Sequence, residues 1–244
     1  MLKFQLLFNL FNFTINSTGF YAAIDRKRFF SKQVTKIIIS QKPEKITIDY
    51  FSTRFNVNNK SYSIPLLGGH QADNAALAIQ AVRIFKPKLN YNIISDGLIN
   101  TVWPGRFHLL DKKLPIFYDV AHNQAGINSI RNTLKYLNVH KKVGLIILKE
   151  DKDIDNIAHS LNGLFNELIV STIPDSQLMG IKKLFNYLNK NNIKCKTVNP
   201  IEEAFKYMTN QAENLSLIHI SEPTRPERIW GGGLWFIKKR GGGG

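Results

Sequence analysis

From residue 116 to residue 210 the chain repeats one pattern, a short apolar run followed by a stretch whose apolar residues recur every three or four positions. Residues 116–120 precede 125–137, where Ile127, Ile130, Leu134 and Leu137 mark one helical face. Residues 143–148 precede 154–165, 168–171 precede 179–191, and 194–198 precede a stretch from 201 to about 210. Side chains alternate along a strand and return every 3.6 residues on a helix, so the change of period separates the two. Four strand-then-helix units constrain the fold strongly. Parallel neighbours need a crossover, and a helix that covers the sheet supplies it, so a doubly wound α/β domain is expected. Ligands of such sheets gather at the carboxyl ends of the strands. Asp119, His122 and Asn123 follow the first apolar run and stand at that end.

Upstream the rhythm is different. Residues 36–40, 45–51 and 54–67 read as strands, and Asn58-Asn59 breaks the last of these into two alternating runs, as a hairpin turn does. A helix capped by Gln71 or Asp73 follows, with Ala75, Leu77, Ala78, Ala81, Val82 and Phe85 forming a broad apolar face. Pro87 ends it, and a short second helix is expected over 93–100. The Trp103-Pro104-Gly105 turn is the natural boundary between the two halves.

The charge of +15 raises the question of nucleic acid, but the lysines are scattered and no aromatic stacking pattern interleaves them. No nucleic-acid partner is expected; a positive field also suits an enzyme of anionic substrates. No apolar run reaches the roughly 18 residues of a membrane span. The N-terminal MLKFQLLFNLFNFTIN has only Lys3 as a charged lead and no clear cleavage site, so a structural segment is expected there rather than a signal peptide. Cys195 has no partner for an internal disulfide and reads as a plain core thiol in a reducing compartment. His108, His140 and His159 show no metal-ligand spacing, and no metal site is expected from them.

The end of the chain breaks these patterns. Residues 215–225, LSLIHISEPTR, match at all eleven positions the translation of a common transposase-based sequencing adapter. The PERIWGGGLWFIKKRGGGG that follows is as glycine-rich as a translated index and poly-G run would be. A flexible linker is the plain alternative, and it leaves the eleven-residue match without a reason. Residues 215–244 are therefore expected to be a non-native tail, and His219, Trp230 and Trp235 carry no functional expectation. Without them the charge falls to +12 from the full +15. The apolar start of the tail is expected to serve as a makeshift strand.

Several motifs stand in order along the native part. LLGGHQADNAALAIQAVRIF (66–85) carries Gly68, His70, Gln71, Asn74 and Ala75; WPGRF (103–107) carries Pro104, Gly105 and Arg106. YDVAHN (118–123) carries Asp119, Ala121, His122 and Asn123, and KEDKD spans 149–153. Over about residues 36–214 the chain thereby resembles the folylpolyglutamate synthases of the Mur-ligase superfamily. Those proteins carry G-x-H-Q-x-x-N-A, P-G-R, D-x-A-H-N and K-D-K-D elements in this order. Gln124 stands where the family has a proline, and KEDKD is one residue longer than the family element. The HQ form points to the folate branch rather than to the peptidoglycan ligases, which commonly carry HN.

The resemblance implies the end of a central ATPase domain over 1–102 and a Rossmann-like glutamate-ligase domain over 103–214, with its last strand expected to be lost. It implies an ATP-dependent ligase that adds L-glutamate to folate or dihydropteroate through an acyl phosphate, with Mg2+, as a cytoplasmic monomer. Asn74 would hydrogen-bond the adenine, since an amide donates and accepts in one plane. Arg106 would reach the phosphates, where a guanidinium fork matches their geometry. Asp119 would anchor the nucleotide, and His122, the catalytic candidate, would lie near the phosphate and the incoming glutamate. Each has a plainer alternative: a helix cap for Asn74, a surface ion pair for Arg106, an ordinary strand-end turn for Asp119 and His122. Lys149, Asp151 and Asp153 read as a solvated loop and a helix start. No Gly-Lys dipeptide occurs, so the phosphate loop G-x-x-x-x-G-K-[ST] is absent and the chain alone is expected to be an inactive fragment. Another Mur-type amino-acid ligase and a non-catalytic basic binding module are the competing readings.

Overall fold

The computed structural model describes residues 13–16, 19–24, 36–39, 41–111, 115–139, 141–174, 176–210 and 215–220. The signal-peptide question at Lys3, the role of His140 and the tail residues Trp230 and Trp235 lie outside the described residues. The chain divides into two compact units, Met1–Val102 and Trp103–Gly244.

In the first unit, β1 (Phe13–Asn16), β2 (Gly19–Ile24) and β3 (Lys36–Ile39) form one antiparallel sheet in that order. A second antiparallel sheet contains β4 (Glu44–Ile48), β5 (Thr53–Val57) and β6 (Lys60–Ile64). β5 and β6 are the expected hairpin. Asn58 and Asn59 both take positive φ, 52° and 57°, which the right-handed twist of a two-residue hairpin requires and which asparagine tolerates. Alternation puts Phe55, Val57, Tyr62 and Ile64 on the buried face. Against them packs α1 (Gly69–Phe85), whose Ala72, Ala75, Ala76 and Ile79 form a flat side, and then Ile94 and Leu98 of α2 (Tyr91–Ile99). The start of α1 departs from expectation. Gly68 holds the cap position at φ 124°, no side chain caps the helix, and Gln71 and Asp73 lie inside it. A buried side chain elsewhere fixes this glycine, as described below.

The second unit has one six-stranded sheet. Its strands are β7 (His108–Asp111), β8 (Ile116–Asp119), β9 (Lys141–Ile146), β10 (Glu167–Val170), β11 (Cys195–Thr197) and β12 (Leu215–Ile220). Helices α3 (Gln124–Tyr136), α4 (Ile154–Leu161), α5 (Ile181–Lys190) and α6 (Ile201–Asn210) alternate with them. The order is β11-β10-β9-β12-β8-β7, parallel except for β7, which pairs antiparallel with β8. This is the expected mainly parallel α/β sheet. One side of it packs Ile116, Val143, Leu145 and Ile169 against Ile201, Ala204 and Met208 of α6. All four residues of β8 are buried, so its run is continuously apolar until Asp119. β12 lies between β8 and β9, which do not pair with each other in the sheet order. The adapter-like segment thus occupies the centre of the sheet.

Candidate functional site

The first unit, taken by itself, holds one candidate group, built on Thr53. This residue is fully buried, and its Oγ1 accepts a hydrogen bond from Gly68 N at 3.1 Å, holding the turn that feeds α1. The Gly68 carbonyl then accepts from Gln71 N and Ala72 N, at 3.0 and 3.4 Å. Along the first turns of α1 the amides form a relay. Asn74 Nδ2 donates to Gln71 Oε1 at 3.3 Å, and Gln71 Nε2 lies 3.0 Å from His70 Nε2. An amide NH2 can only donate, so His70 Nε2 is the acceptor. The relay orients the half-buried Asn74 amide, with its NH2 toward Gln71.

In the second unit three of the expected residues meet at the carboxyl end of β8. Asp119 is 9% exposed. Its Oδ2 accepts from Phe107 N and its Oδ1 from Ala121 N, both at 2.7 Å. Val120 N donates to Gly105 O at 2.9 Å, which closes the Pro104–Phe107 turn onto the strand end. Gly105 sits at φ 80°, and a Cβ there would meet Val120 Cγ1 at 2.7 Å, so the turn demands glycine. Phe107 stacks on Phe117, with ring centroids 4.6 Å apart. Arg106, between them, is exposed.

His122 Nδ1 lies 2.9 Å from Val120 O. A carbonyl only accepts, so Nδ1 carries the proton and Nε2 is the atom left for ligand chemistry. Asn123 caps α3, accepting from Gly126 N at 2.8 Å. A Cβ on Gly126 would lie 2.9 Å from Ala121 Cβ and 3.2 Å from Ala121 Cα. The glycine lets the turn that carries His122 lie directly on the helix. Burial pushes the Asp119 carboxyl up to about 6, against the pull of the two backbone N–H groups, Arg106 and His122. Arg106 and His122 are therefore near enough to Asp119 to act on its charge.

The remaining sequence candidates fall outside this corner. Glu150 pairs with Lys183, Asp151 with Lys152 at 3.6 Å, and Asp153 caps α4 by accepting from Asn156 N at 3.2 Å. Hydrogen bonds from Asn156 hold the Asp153 carboxyl below its usual range. Burial lowers the half-buried His108, and His159 is exposed on α4. Among the described residues no three His, Cys, Asp or Glu side chains converge as a metal would require. Sequence reasoning missed Thr53, Phe107 and Gly126. Gly126 had a signal: a glycine in the first turn of a helix where alanine is the better former.

No protein-family profile matches the chain. Among curated proteins it is 32% identical over 114 residues to the dihydrofolate synthase/folylpolyglutamate synthase of Mycobacterium tuberculosis, an alignment covering 44% of this chain and 23% of that protein. To the protein of the same description from Bacillus subtilis it is 32% identical over 124 residues, covering 44% and 29%. Over this part of their length the chain is similar to folylpolyglutamate synthases. The matched region spans about a quarter of the length of these relatives. Solved structures agree in fold. Mycobacterium tuberculosis folylpolyglutamate synthase complexed with ADP and AMPPCP aligns with a TM-score of 0.66 at 22% identity, over 74% of this chain and 45% of that one. E. coli FolC in complex with ADP gives 0.63 at 20% identity, over 78% and 45%. The UDP-N-acetylmuramate-alanine ligase MurC of Thermotoga maritima gives 0.60 at 18%, over 82% and 45%. The likeness to MurC, at 18% identity, is one of fold alone.

Proposed function

We propose that this chain is part of an ATP-dependent ligase that joins L-glutamate to a folate or dihydropteroate carboxylate. The observation that carries the reading is the corner at the end of β8, where one turn presents Arg106 and the next presents His122 Nε2, both beside Asp119. In such a reaction the substrate carboxylate takes the γ-phosphoryl group of ATP, and the glutamate amine attacks the acyl phosphate and expels phosphate. Phosphoryl transfer depends on positioning and charge neutralisation more than on covalent help from the protein. Arg106 supplies a fixed cation for the phosphates, and Asp119 belongs to the nucleotide side of the site. His122 Nε2, free of its backbone bond, serves the phosphate and incoming-amine side. In the first unit, taken by itself, Asn74 with its amide oriented by Gln71 is the residue proposed for the adenine.

Mg2+ belongs to the proposal through the resemblance. The described residues do not fit it, since no metal-binding cluster is present among them, and no step is derived through the ion. Among the described residues no helix is long and apolar enough to cross a membrane, and a cytoplasmic monomer remains part of the proposal. Calorimetric titration with ADP tests the site. Without the phosphate loop the chain should bind ADP weakly, and Arg106→Ala should weaken binding by roughly a further tenfold, the size of one charge-assisted contact. Equal binding by the variant would sink the reading. The ligase reading is tested separately, by replacing the corresponding part of E. coli FolC with residues 103–220 and following glutamate addition to dihydropteroate.

A further inference from the structure

Two turns at the carboxyl end of β8 are tied to one carboxylate. Asp119 Oδ2 takes the N–H of Phe107, next to Arg106, and Oδ1 takes the N–H of Ala121, next to His122. The bonds from Val120 N to Gly105 O and from His122 Nδ1 to Val120 O, both 2.9 Å, close the corner on either side. Phe107 stands at φ 46°, a left-handed conformation that a bulky side chain rarely takes, and its N–H bond to Asp119 holds it there. We propose that Asp119 is a positioning residue, a buried carboxylate that fixes the turn bearing Arg106 and the turn bearing His122 in one common register. The relevance to ligation rests on the reading above; the clamp itself does not.

An ionised carboxylate suits this task because it only accepts, with one oxygen for each N–H. A protonated acid or an amide turns one of those oxygens into a donor, and one of the two turns loses its tie. Among the described residues, the charged and titratable groups around Asp119 are Arg106 on the first turn, His122 on the second, and His108 of β7 and His219 of β12, each paired in register with Tyr118 beside it. Arg106 and His122 favour the ionised form, and burial opposes it. The two turns should therefore respond together to a single ionisation.

The test is an NMR titration of the full chain from roughly pH 4.5 to 8, following Asp119 Cγ and the amide protons of Phe107 and Ala121. All three should move with one midpoint near pH 6, and Asp119→Asn should abolish the shared step. A carboxyl that titrates in the ordinary range, or two amides that move separately or not at all, would overturn the proposal. Should the variant fail to fold, the unmodified chain decides alone. ADP affinity followed over the same range gives a readout that a merely structural role would not move: it should fall severalfold below the shared midpoint. A shared step with flat ADP affinity upholds the clamp and refutes the assignment of Arg106 to the nucleotide.

Discussion

The two backbone N–H groups on Asp119 favour its carboxylate, as do Arg106 and His122, yet burial holds the carboxyl at about 6 instead of 3.8. The folded state therefore binds a proton that the unfolded chain has released between those values, and stability falls as pH rises through this window. The full effect is on the order of 3 kcal/mol, present below the unfolded value and lost above the folded one. Asp119→Asn removes that slope while leaving one backbone N–H opposite an amide NH2. Urea denaturation at several pH values from roughly 4 to 7 should show the unmodified chain losing stability with pH and the variant nearly flat. At this scale the sequence was informative where a residue's chemistry follows from its type. Asp119 and His122 were legible as polar groups at a strand end, and Arg106 through the P-G-R element of the resemblance. That both Asp119 oxygens face inward was not, because it depends on Gly105 and Phe107 turning back onto Val120. Thr53 was invisible for a similar reason: its partner Gly68 lies fifteen residues away.

Elements were legible wherever periodicity alone decides them. The four strand-then-helix units of the second unit appear in the order expected, with ends moved by a few residues. β7 was missed because HLLD is short and has no alternation, and it exists through pairing with β8. The start of α1 was misplaced because a buried threonine, not a local cap, fixes the preceding glycine. The junction of β8 and α3 offers a sharper test. Alanine at position 126 gains about 1 kcal/mol in helix propensity. Its Cβ would stand 2.9 Å from Ala121 Cβ and 3.2 Å from Ala121 Cα, and the second of these is backbone that carries the Asp119 bond. Overpacking of this kind costs about 1–3 kcal/mol, so the clash should win. Gly126→Ala is expected to lower Tm by a few degrees and to shift the Ala121 amide resonance. A rise in Tm with that resonance unmoved would show that the contact is not tight.

On the scale of the whole chain, the second unit is built around its last described segment. β12 pairs with β8 through Leu217–Ile220 and with β9 through Leu215–Ile220, parallel on both sides, and β8 and β9 meet only through it. The centre of the sheet therefore joins segments roughly a hundred residues apart, the kind of contact whose loop-closure cost is met late in folding. The adapter-like segment fills this slot as an extended run paired on both sides. Six residues of LSLIHI, able to extend and to donate on both sides, are enough to fill it. Proline cannot donate, and a central strand has no solvent-facing edge on which to tolerate one. Ile218→Pro should destabilise the second unit by on the order of 2–3 kcal/mol, from the lost ladder bond and the strain of the ring. Hydrogen exchange gives the decisive map. Amides of β8 and β9 should lose protection together, while those of β5 and β6 keep theirs, because their core of Phe55, Tyr62, Ile64, Ala76 and Ile79 draws on the first unit alone. If β8 and β9 stayed protected, their pairing would not depend on β12, and the order of the sheet would have to be redrawn.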